Sequence, residues 1–501
     1  MKRNRLLSLL LALMMALSLS VPALAVDAGF APDAAVTRGT LAQALYDLEG
    51  RPAPRAGGFA DTQGKWYADA AAWCGENGIY KGDESGRFDG DRALTRAELV
   101  SVLYRYAKFD GKDVSAAQDT NILSYDDALA APEWAMEGFR FACAYGLLTE
   151  KTEGGRALLA ADAAVTRAEL ARALDRLEDM GDALSLWTDG AAAKKALLEY
   201  MAAITDESGA DFIPVKDRIA VFDLDGTLFC ETDPNYFDYT LLKYRVLEDP
   251  NYKDKASDFE KEVANKIKEQ NETGKSFPGL EVDHGKAVAS AFAGMTVAEF
   301  NAYIQEFKRQ SMPSYDGMLR GGGWYLPMLQ VVDYLQANGF TVYIVSGTDR
   351  LIVRGIVDGS PLDIPNSQII GSDETIVSSG QNGADGLSYV FADGDKLVLG
   401  GEFLIKNLKM NKVSVIMQEI GQQPVLSFGN STGDSSMAEY VTSGNPHRSL
   451  AFMLCCDDLV RENGNESKAQ KMYDLCATFD WVPVSMKNDW TTIYGEDVTR
   501  K

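Results

Sequence analysis

An apolar run of four residues, Ile219-Ala-Val-Phe222, passes directly into Asp223-Leu-Asp-Gly-Thr227, and this junction constrains the chain more than any other feature. Such a run suits a strand buried on both faces, and therefore a parallel sheet covered by helices. In open α/β sheets, ligands bind just beyond the carboxyl ends of the strands. Two carboxylates placed there, one residue apart, are costly unless a metal or a substrate uses them. The first can act as a nucleophile and the second as a general acid/base, with a divalent cation holding both against a phosphate. A strand that merely ends in an Asp-Gly turn would carry the same letters without chemistry. The rest of the chain separates the two cases.

Three further segments follow in order. Phe340-Thr-Val-Tyr-Ile-Val-Ser-Gly-Thr348 is a second apolar strand, with Ser346 at its carboxyl end. A hydroxyl there can donate to a phosphoryl oxygen. Pro424-Val-Leu-Ser-Phe-Gly429 is a third strand, running into the polar loop Asn430-Ser-Thr-Gly-Asp434, and Lys412 precedes the helix-like Val413 to Ile420. Together these motifs resemble the haloacid dehalogenase superfamily, most of whose members are phosphatases acting through an aspartyl-phosphate.

The resemblance implies an α/β Rossmann-like parallel-sheet hydrolase core with an inserted helical cap. It implies Asp223 as nucleophile and Asp225 as acid/base, with Ser346 and Lys412 holding the phosphoryl group. Thr227, Gly347 and Glu231 are the expected substrate contacts. Mg²⁺ is the expected cofactor, held by Asp223, Asp225, Asn430 and Asp434. Asp225 could offer only its backbone oxygen, and Asp434 could bind directly or through a water. Lys406 and Lys409 are rivals of Lys412, which is preferred because Asn411-Lys412 opens the helix leading into the third strand. Asn430 stands where an acid is usual. An amide oxygen ligates Mg²⁺ but brings no charge, so weaker metal affinity than an all-Asp loop is expected.

The gap between Thr227 and Phe340 far exceeds the roughly dozen residues of a simple crossover. A cap at about 229–335 is expected, with helical spacing in Asp258 to Glu269 and Thr296 to Phe307. Phe229, Tyr236, Phe237, Tyr239, Tyr244, Trp324 and Tyr325 suit cap–core packing, or a cage for a quaternary ammonium. Glu231 suits contact with an amine. The expected activity is a phosphomonoesterase on a small phosphoserine- or phosphocholine-like substrate. A phosphotransferase or phosphonate-cleaving enzyme on the same core stays open, as does a domain that binds a phosphorylated ligand without turnover.

The amino end answers a different question. Lys2, Arg3 and Arg5 precede the apolar stretch Leu6 to Leu17, and Ala23-Leu-Ala25 follows, which reads as a secretory signal over residues 1–25. The apolar run falls short of the ~18–20 residues of a membrane span, so export without a transmembrane anchor is expected. Between this signal and the hydrolase lies an internal repeat: Val36-Thr-Arg-Gly-Thr40, Leu94-Thr-Arg-Ala-Glu98 and Val165-Thr-Arg-Ala-Glu169. Thr and Glu three apart in the second and third copies form a capping box, which leaves Arg38, Arg96 and Arg167 unexplained. With Phe59-Ala-Asp61, Trp66, Trp73 and Asn77-Gly-Ile-Tyr-Lys-Gly82, the repeats resemble S-layer homology units, the first copy truncated. That resemblance implies attachment to an anionic polysaccharide of a Gram-positive-type wall, with the three arginines pairing with its acidic groups. The expected divisions are repeats over 26–178, a linker and leading helix over 179–205, and the hydrolase over 206–501.

Composition narrows the field. A net charge of −24 over 501 residues excludes nucleic acid as a natural partner. Two histidines rule out a His-rich metal site and disfavour a His-dependent hydrolase. Six cysteines without Cys-x-x-Cys spacing are expected to be mainly free and buried.

Overall fold

The computed structural model describes residues 32–54, 58–83, 85–118, 120–149, 151–153, 156–206, 209–231 and 235–501. The secretory signal expected at residues 1–25 lies outside them. The chain forms two compact units, one of residues up to Ser185 with Leu197–Phe212, the other of Leu186–Ala196 with Ile213–Lys501. The division differs from the expected one: the helix Ala192–Thr205, read as leading into the hydrolase, gives most of its length to the first unit.

The first unit is mainly helical and its three copies close a ring. The helices Arg38–Leu48, Arg96–Phe109 and Arg167–Glu178 are N-capped by Thr37, Thr95 and Thr166, each with a reciprocal capping box. Just before each cap, the backbone is tied to the next copy. Val36 N–H donates to Val165 O, Leu94 N–H to Val36 O and Val165 N–H to Leu94 O, each at 2.9 Å. The shortened first copy therefore supplies the half that completes the ring. Leu41, Leu45, Leu99, Leu103, Leu170 and Leu174 from the three helices are buried in one core. Short amphipathic repeats need such neighbours to cover their apolar faces.

This geometry corrects the reading of the arginines. Arg38 is buried, donating from Nε to Phe88 O at 2.9 Å and from Nη1 to Glu98 Oε1 at 2.8 Å, with its guanidinium over Tyr80 and Phe88. Arg96, 1 % exposed, donates to Leu159 O at 2.8 Å, Thr149 O at 2.9 Å and Glu169 Oε1 at 3.0 Å. Each arginine thus reaches the capping-box glutamate of the following copy. Buried and hydrogen-bonded across the repeat boundary, these two side chains join one repeat to the next. Arg167 is half-buried and makes no such pair among the described residues. Around the ring the first copy follows it, and there Thr40 stands in the glutamate's place.

The second unit has the expected α/β core. Its strands are β1 (Ile219–Phe222), β2 (Thr341–Asp349), β3 (Ile369–Ser378), β4 (Leu397–Ile405), β5 (Leu426–Gly429), β6 (Leu450–Cys455) and β7 (Val482–Ser485). They lie in the order β7-β6-β5-β1-β2-β3-β4. All pairs are parallel except β3 with β4. All four β1 residues are buried, as a central strand requires. Phe222, Phe428 and Phe452 stand opposite one another across β1, β5 and β6, and their rings stack at 4.3 and 4.8 Å. This ladder holds the carboxyl ends of β1 and β5 level. Asp223 and Asn430 emerge side by side as a result.

Four helices, Phe237–Leu247, Asp258–Thr273, Leu280–Ala291 and Val297–Lys308, make the cap. Its two stems are paired: Cys230 N–H donates to Gly323 O at 2.7 Å and Tyr325 N–H to Leu228 O at 2.9 Å. The cap therefore ends before the expected 335. The helix Leu326–Ala337 packs against β2 and belongs to the core. All six cysteines are free.

Candidate active site

Asp223 leaves β1 with its N–H donating to Phe428 O at 2.9 Å, which fixes its backbone on the neighbouring strand. Lys412, wholly buried, donates from Nζ to Asp223 Oδ1 and to Asp434 Oδ1, both at 2.7 Å. Lys406 and Lys409 make no such contact, and Lys409 is exposed. Asp434 Oδ2 accepts Asn430 N–H at 3.2 Å, Ser431 N–H at 3.0 Å and the Ser431 hydroxyl at 3.1 Å. Both of its oxygens are thus committed to protein donors. Asp434 positions Lys412 and the loop. Burial, and then the Asp434 charge, push the Asp223 carboxyl up to about 7, with Lys412 opposing them.

Asp225 lies one turn further into the site. Thr348 Oγ1 donates to its Oδ2 at 2.7 Å, while its Oδ1 is buried with no partner among the described residues. Burial, then Asp238, then Asp223 hold this carboxyl well above the usual carboxylate range. Thr227 Oγ1 is likewise buried and unpartnered. Ser346 Oγ accepts Thr348 N–H at 3.1 Å, which leaves its own proton free to donate into the site. Gly347 O accepts the Ser372 hydroxyl at 2.7 Å, and a Cβ at Gly347 would meet Leu408 Cδ2 at 2.7 Å.

Asn430 and Glu231 are joined. Asn430 Nδ2 donates to Glu231 Oε2 at 2.8 Å, Tyr236 OH to Oε1 at 2.9 Å, and Lys468 Nζ to both oxygens at 2.5 and 2.7 Å. Glu231 has no oxygen left for a substrate amine, so its expected role as a contact gives way to orienting Asn430. With Nδ2 engaged, the amide oxygen of Asn430 is turned away from Glu231. Gly226 makes this approach feasible: its φ is +78°, and a Cβ there would stand 1.9 Å from Asn430 Nδ2.

No three Asp, Glu, His or Cys side chains converge as a metal cage among the described residues. Among the described residues, the Asp223 carboxylate, the Asn430 amide oxygen and the Asp225 backbone carbonyl are oxygen donors that could hold a metal ion, beside the unpartnered Asp225 Oδ1. An all-oxygen set of low charge fits Mg²⁺, which keeps several waters of its own. Asp434 would reach such an ion only through water.

Sequence reasoning missed Thr348, Lys468, Asn407, Asp238 and His284. Asn407 is fully buried and donates to Ser346 O at 3.0 Å. Thr348 could have been found, because it sits two residues beyond Ser346 and so on the same face of the strand. Lys468 left no signal, standing 237 residues from Glu231. Asp238 and His284 come from cap helices, with His284 Nδ1 3.8 Å from Asp238 Oδ2 and its ring 4.0 Å from that of Tyr239. Phe229 packs edge-on against Trp324 at 5.0 Å and Phe237 against Phe307 at 5.3 Å, so these aromatics pack the cap. Asp457 and Asp458 hold loops, through Ser485 Oγ at 2.6 Å and Arg461 Nε at 2.6 Å.

Residues 58–100 match the S-layer homology domain family. A 118-residue stretch is 28 % identical to the "Surface-layer 125 kDa protein" of Lysinibacillus sphaericus, covering 24 % of this chain and 9 % of that protein's length. Solved structures similar to this chain include a protein with unknown function from Bordetella pertussis Tohama I, 15 % identical, covering 53 % of this chain and 97 % of that one with a TM-score of 0.35. Another is a phosphoserine phosphohydrolase-like protein from Francisella tularensis subsp. tularensis SCHU S4, 16 % identical, covering 53 % and 94 % with a TM-score of 0.29. Cytosolic 5'-nucleotidase IIIB bound to cytidine is 12 % identical over 60 % of this chain and 88 % of its own, with a TM-score of 0.37. The first unit carries an S-layer homology domain. The second is a capped, mostly parallel α/β unit with a buried carboxylate–lysine site at its strand ends.

Proposed function

We propose that the second unit is a haloacid dehalogenase-like phosphomonoesterase and that the first attaches it to an anionic polymer at the cell surface. The observation that carries the enzymatic reading is Lys412, fully buried and bridging Asp223 and Asp434 at 2.7 Å each, beside the orphaned oxygens of Asp225 and Thr227. A buried lysine that clamps a strand-end carboxylate both aims it and offsets the charge of an incoming phosphoryl group.

In the first step the free oxygen of Asp223 bonds to phosphorus and the ester P–O bond breaks. Asp225, kept protonated by burial and by Asp238, gives its proton to the leaving alkoxide. In the second step Asp225, now a carboxylate, takes a proton from water as that water's oxygen attacks the aspartyl-phosphate. Inorganic phosphate leaves and Asp223 is restored. Thr348 holds Asp225 in place, while Ser346 and Thr227 hydroxyls donate to phosphoryl oxygens. Bound Mg²⁺, held by Asp223, Asn430 and the Asp225 carbonyl, would supply charge stabilisation to the transferring group. Cap closure excludes water from these charges and strengthens them.

A cationic leaving group, as in phosphoserine- or phosphocholine-like esters, is supported by the cap side of the site. Asp238, on the first cap helix, is 2 % exposed and lies beside His284, which burial keeps neutral. A panel of phosphomonoesters assayed with Mg²⁺ tests the whole reading. Asp223→Asn is expected to abolish turnover without changing the near-UV circular dichroism, and Asp225→Asn to accumulate phospho-enzyme. Wild-type kcat in Asp223→Asn would refute the nucleophile. Asp238→Asn is expected to lower kcat/KM for amine-bearing esters alone, and an equal loss on neutral esters would remove the cationic class.

A further inference from the structure

The strand β2 breaks its ladder where the candidate active site begins. Its parallel register with β3 pairs Ile344 with Ile369 and Val345 with Ile370, then shifts before Asp349 stands opposite Ser372. Ser346, Gly347 and Thr348 lie in the gap. An interruption of this kind re-aims side chains beside active sites, and it leaves backbone groups that the ladder would otherwise have paired. Two side chains take them. Asn407 Nδ2 donates to Ser346 O at 3.0 Å, and the Ser372 hydroxyl donates to Gly347 O at 2.7 Å. The two are themselves joined, since Asn407 N–H donates to Ser372 Oγ at 3.0 Å.

Asn407 carries a cost that points the same way. It is wholly buried, and its Oδ1 has no partner among the described residues. Turning the amide over would set that oxygen against the Ser346 carbonyl. An apolar residue of similar size would spare the fold an orphaned oxygen, so the Nδ2 contact is what the asparagine supplies. The residues that follow are shaped around the same turn. Leu408 Cδ2 would stand 2.7 Å from a Cβ at Gly347 and 3.2 Å from one at Gly433, so it fills the space between the β2 turn and the loop after β5. Lys409 has φ +54°, and its N–H donates to Gly433 O at 2.8 Å. A non-glycine residue in that conformation is strained, and such strain persists where the surroundings hold it for a purpose.

We propose that Asn407 and Ser372 are positioning residues, a clamp that aims Ser346 and Gly347 at the phosphoryl group. Peptide geometry supplies the mechanism. In a trans peptide the C=O and the following N–H lie on opposite edges of one plane. With Ser346 O drawn to Asn407, the Gly347 N–H is turned to the other side, and a glycine has no other group with which to donate. With Gly347 O held by Ser372, the Thr348 N–H is turned away from Ser372 and donates to Ser346 Oγ at 3.1 Å. That bond uses an acceptor site of the hydroxyl and leaves its proton for a phosphoryl oxygen. Both donors are thus set by a residue of β3 and a residue just after β4. The proposal rests on the phosphomonoesterase reading and adds to it what fixes the phosphoryl-binding turn.

The test uses the full chain with Mg²⁺ and measures inorganic phosphate binding by calorimetry beside kcat/KM on the panel of phosphomonoesters. Asn407→Leu and Ser372→Ala are each expected to weaken phosphate binding roughly tenfold, as loss of a buried hydrogen bond implies. For each variant kcat/KM should fall by one common factor on every ester, because the esters share the phosphoryl group and differ only in what leaves. The double variant should bind phosphate no more weakly than the poorer single variant, since both side chains act through one turn. Wild-type phosphate affinity in Ser372→Ala, a loss confined to one leaving group, or additive losses in the double variant would each overturn the clamp. Ser372→Ala removes a single oxygen atom, and it decides the matter by itself if Asn407→Leu does not fold. A wild-type chain that neither binds phosphate nor turns over any ester would remove the phosphomonoesterase reading, and this proposal with it; an active wild type with unaltered variants removes the clamp alone.

Discussion

Arg96 shows how one residue type can be read for the wrong partner. Its sequence context, Thr-Arg-Ala-Glu, offers a free cation on a capped helix, yet its guanidinium is spent on Glu169 and two backbone carbonyls. Breaking a buried ion pair leaves an uncompensated charge and costs about 3–5 kcal/mol. Arg96→Ala is therefore expected to lower the first unit's unfolding free energy by about that much in urea titration, while Arg167→Ala, which breaks no such pair, changes it by less than about 0.5 kcal/mol. Equal effects would mean the ring does not depend on these staples. Asn430 is a second case. The missing charge reads as a weaker metal loop, but Glu231 Oε2 at 2.8 Å gives the amide a reason to be there. An Asp at 430 would face that carboxylate. Asn430→Asp alone is expected to leave Mg²⁺ affinity unimproved, and Asn430→Asp with Glu231→Gln to tighten it. Activity titrated against Mg²⁺ for each protein, with EDTA abolishing turnover in all, distinguishes them. Asp223, Asp225, Ser346 and Lys412 were legible because each sits at a strand or helix end that the hydrophobic pattern marks. Glu231 was singled out but its role was not, because its partners Lys468 and Asn430 lie 237 and 199 residues away.

At the scale of elements, the turn after β1 carries the most constraint. Gly226, at φ +78°, lets the chain reverse between Asp225 and Thr227 and leaves room for the Asn430 amide. Gly226→Ala adds a Cβ in a conformation L-residues rarely adopt, and it would collide with that amide. A misplacement of this kind costs on the order of 10²-fold in rate. The expected outcome is at least that loss of kcat, with the far-UV spectrum unchanged; a variant with near-normal kcat would show that Asn430 need not approach the turn. Secondary structure along β1, β2 and β5 follows from apolar runs bounded by turn residues. The antiparallel strand β4 does not, because its alternation of exposed and buried residues includes Gly400 and Gly401 and exposed Leu397 and Leu404. Its pairing with β3 is a tertiary choice. Two of the cap's four helices, Asp258–Thr273 and Val297–Lys308, were visible in their spacing; Phe237–Leu247, Leu280–Ala291 and the cap's end were not. Leu326–Ala337 has the same apolar periodicity whether it packs in a cap or on β2.

For the whole molecule, the proposed reading assigns attachment to one unit and chemistry to the other. A chain beginning at Leu186 keeps the sheet, the cap and every residue of the proposed active site. It is expected to retain phosphomonoesterase activity and to lose sedimentation with purified walls; sedimentation at the level of the full chain would end the division of labour. Among the described residues no helix is long and apolar enough to cross a membrane. Sequence alone determined the order of the motifs, the identity of the strand-end carboxylates and the presence of three related helical copies. These are local: each depends on residues within one strand, one turn or one cap, where hydrophobic period and hydrogen-bonding groups decide the outcome. Tertiary structure alone decided that Arg38 and Arg96 turn inward and that Asn430 answers Glu231. Each of these is a pairing between charged or polar groups far apart in the chain. Burial sets its strength, and burial exists only once the fold has closed around it.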